Sequence, residues 1–101
     1  MKRAVFVLFA AAAVAGPALA DQALATAKNC MACHAVDKKL VGPSFKDISA
    51  KYAADSGAAD KLAVKIIKGG SGVWGPVPMP ANAQVSEAEA KKLAAWVMSQ
   101  K

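Results

Sequence analysis

Apolar residues recur every three or four positions in three stretches of the chain, and this spacing predicts three helices that each bury one face. The three apolar stripes are Phe45, Ile48 and Tyr52; Ala59, Leu62, Ala63 and Ile66; and Ala90, Leu93, Trp96 and Val97. The second helix is predicted over Ala58–Lys68, where two glycines end it. Ser86 and Glu89 have the spacing of a capping box before the third helix. A further short helix is a candidate over Ala23–Lys28, and because no stretch alternates as a strand does, the predicted fold class is all-α.

A long loop rich in glycine and proline separates the second and third of these helices. Residues 69–82 read GGSGVWGPVPMPAN, with four glycines and three prolines, a composition that does not support regular secondary structure. In a small domain, a loop of this length is more often functional than a simple connection. We therefore expect this loop to contribute to the functional site.

The N-terminal segment is more apolar than the rest of the chain. Lys2 and Arg3 precede a 12-residue apolar run over residues 4–15, and Ala18 and Ala20 supply small residues before a cleavage point. This arrangement predicts a cleavable secretory signal peptide over residues 1–20, since the apolar run is too short to span a membrane as a helix. After cleavage, residues 21–101 form a single exported domain in the periplasm. The alternative is an N-terminal membrane anchor that stays attached.

The remaining 81 residues suffice for one domain but for little hydrophobic core. Removing Lys2 and Arg3 leaves 11 of the 13 basic residues against seven acidic ones, a net charge of +4. One histidine and two cysteines exclude a multinuclear metal cluster held by these side chains alone, and they give little support to triad hydrolysis. Because domains of about 80 residues usually need a staple such as a disulfide or a metal, we expect a bound group to complete the core.

The two cysteines and the histidine lie together in one pentapeptide, Cys-Met-Ala-Cys-His, at residues 30–34. This is the attachment sequence of c-type haem. On a tight turn Cys30 and Cys33 can each bond one haem vinyl group, and the adjacent His34 can ligate the iron. A thioredoxin-like redox pair, half of a zinc site and a bare disulfide are the alternatives. A thioredoxin-like pair needs a βαβ framework and a zinc site needs another cysteine pair, and the sequence offers neither. The histidine directly after the second cysteine favours haem attachment.

The second axial ligand of such a haem follows by elimination among the methionines. No second histidine exists, and Met31 lies within the attachment turn itself. Met98 belongs to the last predicted helix, where packing or exposure at the helix end explains it. Met79 lies in the long loop between two prolines, which fix φ and deny a helix there. We therefore expect His34 and Met79 to be the iron ligands.

Over nearly its whole length from residue 21, the chain resembles the short bacterial class I cytochromes c of the cytochrome c-551 (c8) type. The matching stretches are CMACHAVDKKLVGPSFKDISAKY, GVWGPVPMPAN and LAAWVMSQK. The resemblance implies four to five short helices wrapped around one covalently bound haem c with an exposed edge. It also implies thioether links for Cys30 and Cys33, axial ligation for His34 and Met79, a carbonyl at Pro43 that accepts the other N–H of the His34 ring, a propionate donor at Trp74, and an amide near the methionine sulfur at Asn82.

Two of the residues in these stretches need separate comment. Trp74 could instead pack in the core, since large aromatic side chains are mostly buried. Lys65 falls where relatives often carry an arginine near a propionate, but a lysine cannot make that bidentate contact, so we do not count it in the site. Phe45, Ile48 and Trp96 are expected to form the core around the ring.

These expectations describe an electron carrier rather than an enzyme. Histidine and methionine close both faces of the iron, which leaves no position for oxygen or peroxide. The expected partners are periplasmic redox proteins that dock transiently on a monomer: a donor such as a cytochrome bc1-type complex, and an acceptor such as nitrite reductase, peroxidase or oxidase. Lys28, Lys38 and Lys39 flank the attachment motif, and a basic surface can steer such docking.

Three other functions compete with this prediction. A haem enzyme or gas sensor would need Met79 to be absent from the iron or displaceable. A thiol–disulfide protein would carry no haem, and a tethered subunit of a larger oxidase or reductase would keep its N-terminal anchor. Nucleic-acid binding has no support, because the chain is predicted to be exported and shows no arrangement for base stacking.

Overall fold

The computed structural model describes residues 17–101, with side chains from Asp21 onward. This part of the chain forms α1 (Pro17–Ala27), a 3-10 turn (Cys30–Ala32), α2 (Phe45–Tyr52), α3 (Ala58–Lys68) and α4 (Glu87–Met98). No strand occurs between residues 17 and 101, and the all-α prediction is confirmed. Most of the predicted signal peptide, residues 1–16, lies outside the described residues. None of the four helices has the length and apolar character that crossing a bilayer requires.

Helices α2 and α4 both begin at a serine cap. The Ser86 hydroxyl accepts the Glu89 N–H at 3.1 Å, and the Glu89 carboxylate accepts the Ser86 N–H at 3.0 Å, so the predicted capping box is confirmed. The Ser44 hydroxyl accepts the Asp47 N–H at 3.0 Å at the start of α2. Each cap satisfies an amide that the first helical turn leaves without a partner.

Helix α1 differs from its prediction. Its described residues run from Pro17 to Ala27, so the chain is already helical six residues before Ala23. The helix ends at Ala27, and Asn29 then adopts a left-handed conformation with a φ of 63°. This reversal turns the chain directly into the 3-10 turn that holds the cysteines.

The hydrophobic core lies around α4, which contacts each of the other three helices. Its buried residues are Ala25, Phe45, Ile48, Ala63, Val85, Ala90, Leu93, Ala94, Trp96 and Val97. The three predicted core residues Phe45, Ile48 and Trp96 are all among them. Tyr52, by contrast, is only half-buried. The core therefore supplies one firm apolar surface, formed by α2 and α4, against which the functional site is built.

Two polar contacts tie α4 to neighbouring segments. The Lys28 ammonium lies 3.5 Å from the Glu89 carboxylate and donates to the Gln84 carbonyl at 3.3 Å. The Ser49 hydroxyl donates to the Met98 carbonyl at 2.9 Å. Lys28 is thus half-buried in a structural contact, whereas Lys38 and Lys39 are exposed. The basic surface near the attachment motif consequently rests on the latter two residues.

Candidate functional site

The Cys-Met-Ala-Cys-His pentapeptide forms the 3-10 turn and the two residues that follow it. The Cys30 carbonyl accepts the N–H groups of Cys33, at 3.3 Å, and His34, at 3.0 Å. This tight turn places both cysteines and the histidine on the wall of one cavity. Both cysteines are half-buried and no disulfide joins them, and before any attachment burial raises the pKa of the Cys30 thiol.

Three contacts fix the ring of His34. Its Nδ1 lies 2.7 Å from the Pro43 carbonyl oxygen. A carbonyl only accepts, so in the neutral ring Nδ1 carries the proton and Nε2 keeps a lone pair available to a metal. Phe45 stacks on the ring at a centroid distance of 5.2 Å, with 24° between the planes. Gly42 also lies so close to the ring that a Cβ there would be 2.5 Å from Cε1 of His34.

The loop of residues 69–82 contains backbone pairing that its composition does not predict. Gly70 and Met79 form an antiparallel bridge, in which the Met79 N–H donates to Gly70 at 2.7 Å and the Gly70 N–H donates to Met79 at 3.0 Å. Between them, the Gly72 N–H donates to the Gly75 carbonyl at 2.9 Å and closes a turn. The loop is therefore a short hairpin-like excursion that carries Met79 back to the end of α3.

Met79 is half-buried and lines the same cavity as the cysteines and His34. Of the described methionines, Met31 packs against the hydrophobic core and Met98 lies at the end of α4, and neither lines this cavity. The structure therefore brings together the four side chains for which attachment and ligation are predicted.

Trp74 lines the cavity at its exposed rim. Its side chain is 43% exposed, so the alternative that it packs in the core does not describe its position. The ammonium of Lys51, on α2, lies 5.3 Å from the centroid of the indole and makes a cation–π contact. This contact links the loop to α2, and the predicted bond of Trp74 to a propionate stays a prediction.

Asn82 fastens the end of the loop to the last turn of α3. Its side-chain amide donates to the Ile66 carbonyl at 3.0 Å and, more weakly, to the Pro80 carbonyl at 3.4 Å. Its backbone N–H donates to the Ile67 carbonyl at 3.1 Å. These bonds place Asn82 three residues from Met79 in a fixed position, and its predicted role beside the sulfur stays a prediction.

The cavity has a volume of about 330 Å³, a size typical of small-molecule and cofactor sites. Phe45, Ile48, Leu93 and Trp96 form its apolar floor, and Lys39, Tyr52, Lys65 and Trp74 are among the polar side chains of its lining. Two thiols, one imidazole nitrogen and one thioether are the groups that attach and ligate a c-type haem. Apolar walls suit a porphyrin, and ammonium and indole groups suit its carboxylates. The residues present therefore fit this cofactor.

Two contributors to the site are absent from the sequence-based prediction. Gly42 has no assigned role in that prediction, although a glycine directly before the acceptor proline is a signal of close backbone approach. Lys51 carries no sequence signal of its contact with Trp74, because α2 and the loop meet only in the folded chain.

Comparison with known proteins agrees with this geometry. The sequence profile of the cytochrome c family matches residues 15–101. Cytochrome c-552 of Nitrosomonas europaea is 55% identical over 103 residues, which covers 100% of both chains. Cytochrome c-551 of Azotobacter vinelandii is 64% identical over 74 residues, covering 73% of this chain and 89% of that protein. The crystal structure of wild-type Nitrosomonas europaea cytochrome c552 gives a TM-score of 0.78 at 55% identity, over 79% of this chain and 99% of that one.

The chain therefore belongs to the cytochrome c family. Within it, the chain is a small class I cytochrome of the c-551 type, as the resemblance implies, with the helical fold of that class. Its cofactor is one covalently bound haem c, which confirms the cofactor prediction. The relatives are electron-transfer haem proteins.

Proposed function

We propose that this chain carries single electrons between periplasmic redox proteins, with its haem c attached through Cys30 and Cys33 and ligated by His34 and Met79. The convergence of these four side chains on one cavity is the observation that carries the proposal. When bound, the haem supplies an iron that gains and loses one electron. The chain's own residues hold the ligands in place, keep water out and present the rim of the cavity to partners.

The supporting residues act on the two ligands and on the edge of the cofactor. The Pro43 carbonyl accepts the Nδ1 proton of His34, which fixes the orientation of the imidazole and raises the basicity of Nε2. The indole of Trp74 lies at the rim, where its N–H can donate to a propionate. The Asn82 amide holds the chain just beyond Met79 through its bond to the Ile66 carbonyl, and its assignment beside the methionine sulfur is part of the proposal.

We infer that the protein is a carrier and not an enzyme. His34 would supply a nitrogen ligand and Met79 a sulfur ligand, so the protein itself would provide both of the ligands that the iron needs beyond the porphyrin. A substrate then finds no open position, and the remaining task is to exchange electrons with little rearrangement. The apolar floor of α2 and α4 residues suits that task because it is buried and closely packed.

The rim of the cavity is suited to brief encounters with other redox proteins. Val41, Val73 and Val77 line the cavity, and so does Lys39, which is exposed like its neighbour Lys38. Basic residues around an apolar patch raise the rate of docking on acidic surfaces without forming a tight complex. We propose a monomer that is exported by signal peptide 1–20. We propose an electron donor such as a cytochrome bc1-type complex, and an electron acceptor such as a nitrite reductase, peroxidase or oxidase.

A matched pair of methionine variants tests the ligand assignment. Ferric iron bonded to a thioether has a weak charge-transfer band at the red end of its spectrum, and the thioether raises the reduction potential. Met79→Ala should abolish the band, lower the potential and open a position that binds cyanide quickly. Absorption spectra and redox titration of the two holoproteins measure these changes.

Met98→Leu is the control, since it conserves volume at a methionine outside the cavity. It should leave the band, the potential and cyanide binding unchanged. If the band disappeared in Met98→Leu and persisted in Met79→Ala, the ligand assignment would be reversed. A wild-type protein without the band would favour a haem enzyme or sensor instead.

A further inference from the structure

Gly69 occupies the point at which the chain leaves α3 and enters the loop. Its φ of 72° and ψ of −169° lie in a region that is essentially restricted to glycine. Its N–H still donates to the Lys65 carbonyl at 2.8 Å, so Gly69 ends the helix and reverses the chain in one residue.

The backbone of the methionine segment fills the space that a side chain at Gly69 would need. A Cβ there would overlap the Met79 carbonyl oxygen and would lie 2.8 Å from the Ala81 nitrogen and 2.9 Å from the Pro80 carbonyl carbon. All three are backbone atoms, which cannot swing aside as the end of a flexible side chain can. Gly72 and Gly75 also have positive φ, of 93° and 112°, but a Cβ at either position meets no atom within 4 Å.

Because the backbone around Met79 approaches Gly69 closely, the bridge between Gly70 and Met79 can form next to it. Both backbone polar groups of Met79 are bonded to Gly70, at 2.7 and 3.0 Å. Met79 lies between two prolines, which have no N–H to donate. The Met79 N–H is therefore the one backbone donor among residues 78–80, and it is used in the bridge to Gly70. Beyond Met79, the bonds from Asn82 to the carbonyls of Ile66 and Ile67 hold the same segment against α3.

We propose that Gly69 is a positioning residue for Met79: its missing side chain lets the methionine backbone lie against the end of α3, and this contact sets the position of the thioether. The proposal rests on the proposed role of Met79 as sulfur ligand. It adds that the position of the sulfur is set from α3, through backbone contacts, rather than by packing of the methionine side chain alone.

Substitution of two glycines in the holoprotein separates this contact from general strain. Gly69→Ala and Gly75→Ala each place a Cβ at a positive φ, but only the first drives it into the Met79 segment, and Gly75 does not line the cavity. Gly69→Ala should weaken or abolish the red charge-transfer band and lower the reduction potential. The control Gly75→Ala should keep the wild-type band and potential, even where its melting temperature falls. An intact band in Gly69→Ala, or an equal loss in both variants, would overturn the proposal.

Amide hydrogen exchange gives a second measurement that does not depend on recovering the Gly69→Ala protein. In the wild type, the Gly70 and Met79 amides should be protected together and exchange roughly tenfold or more slowly than the amide of Val73 in the same loop. Exchange of the Met79 amide as fast as that of Val73 would overturn the proposal.

The methionine variants distinguish failure of this proposal from failure of the proposed function. If Met79→Ala loses the band and Gly69→Ala keeps it, Met79 is the ligand but Gly69 does not position it. If Met79→Ala keeps the band, the ligand assignment itself is wrong, and the positioning role of Gly69 fails with it.

Discussion

The two walls of the haem cavity are attached to the rest of the protein in different ways. The His34 wall is continuous with the core: His34 stacks on Phe45, which is 4% exposed and packs edge-on against Trp96 at 5.0 Å and 69°. The Met79 wall, residues 69–82, contributes no side chain to the buried core cluster and is held mainly by backbone hydrogen bonds at its two ends.

This difference indicates how each wall responds to perturbation. A residue packed in the core shares its contacts with much of the molecule, so removing it lowers the free energy of unfolding as a whole. A loop held by a few backbone bonds can open locally at a lower free energy than global unfolding requires. We therefore expect damage to the His34 wall to reduce global stability, and damage to the Met79 wall to change ligation before it changes stability.

The largest effect should come from loss of attachment. Replacing both Cys30 and Cys33 by alanine removes the covalent links, and a domain of about 80 residues lacks enough core to compensate for a lost cofactor. We expect little stable folded protein, measured as weak helical circular dichroism without a cooperative thermal transition. The single variants retain one link each and serve as controls that should still fold. A haem-free double variant that melted cooperatively would show that the His34 wall folds without the cofactor.

A smaller but still large effect is expected from Phe45→Ala. Phe45 is buried and supports the His34 ring and Trp96 together, so its truncation leaves a void within the core. Changes of this kind cost about 3–5 kcal/mol in the free energy of unfolding. Urea denaturation of the holoprotein, followed by circular dichroism, measures the loss.

Val77→Ala is the matched truncation on the opposite wall. Because Val77 lies outside the buried core cluster, in a loop held mainly by backbone bonds, we expect a loss well below that of Phe45→Ala. Similar losses in the free energy of unfolding for Phe45→Ala and Val77→Ala would show that both walls are anchored equally.

The elements that the sequence predicts well are those whose signals are local. The Cys-x-x-Cys-His spacing, the capping box of Ser86 and Glu89, and the apolar stripe of α3 each lie within a few residues, so their geometry follows from helix and turn periodicity. The four side chains that the structure brings to one cavity are predictable for the same reason, together with elimination among very few candidates.

The contacts that the sequence does not predict join segments far apart in the chain. The bridge between Gly70 and Met79 depends on how the loop folds back, and the contact between Lys51 and Trp74 depends on where α2 meets that loop. Lys28 resembles the neighbouring lysines in sequence and differs from them only because α4 brings Glu89 within 3.5 Å. Such pairings have no periodic signature, so they emerge only from the three-dimensional structure.

The smallest effect concerns charge near the attachment wall. The hydrogen bond from the Ser86 N–H lowers the pKa of the Glu89 carboxyl below its ordinary 4.5, with a further contribution from Lys28. A carboxyl with a lowered pKa in the folded state stabilises the protein above its ordinary pKa, and this stability is lost as the pH falls through the lowered value. Glu89→Gln should therefore reduce the urea midpoint slightly at about pH 7 and bring the two proteins closer together at about pH 3.

Glu87→Gln is the control for this last comparison, because Glu87 lies in the same first turn of α4 but takes no part in the capping box. Its substitution should change the midpoint less than that of Glu89 at about pH 7. Both variants should keep the wild-type red band, since the band reports on Met79, whereas the two glutamates contact Ser86, Lys28 and Lys91. If Glu89→Gln lowered stability as much as Phe45→Ala does, the contact of α4 with Lys28, rather than the packing of Phe45, would be the principal anchor of the attachment wall.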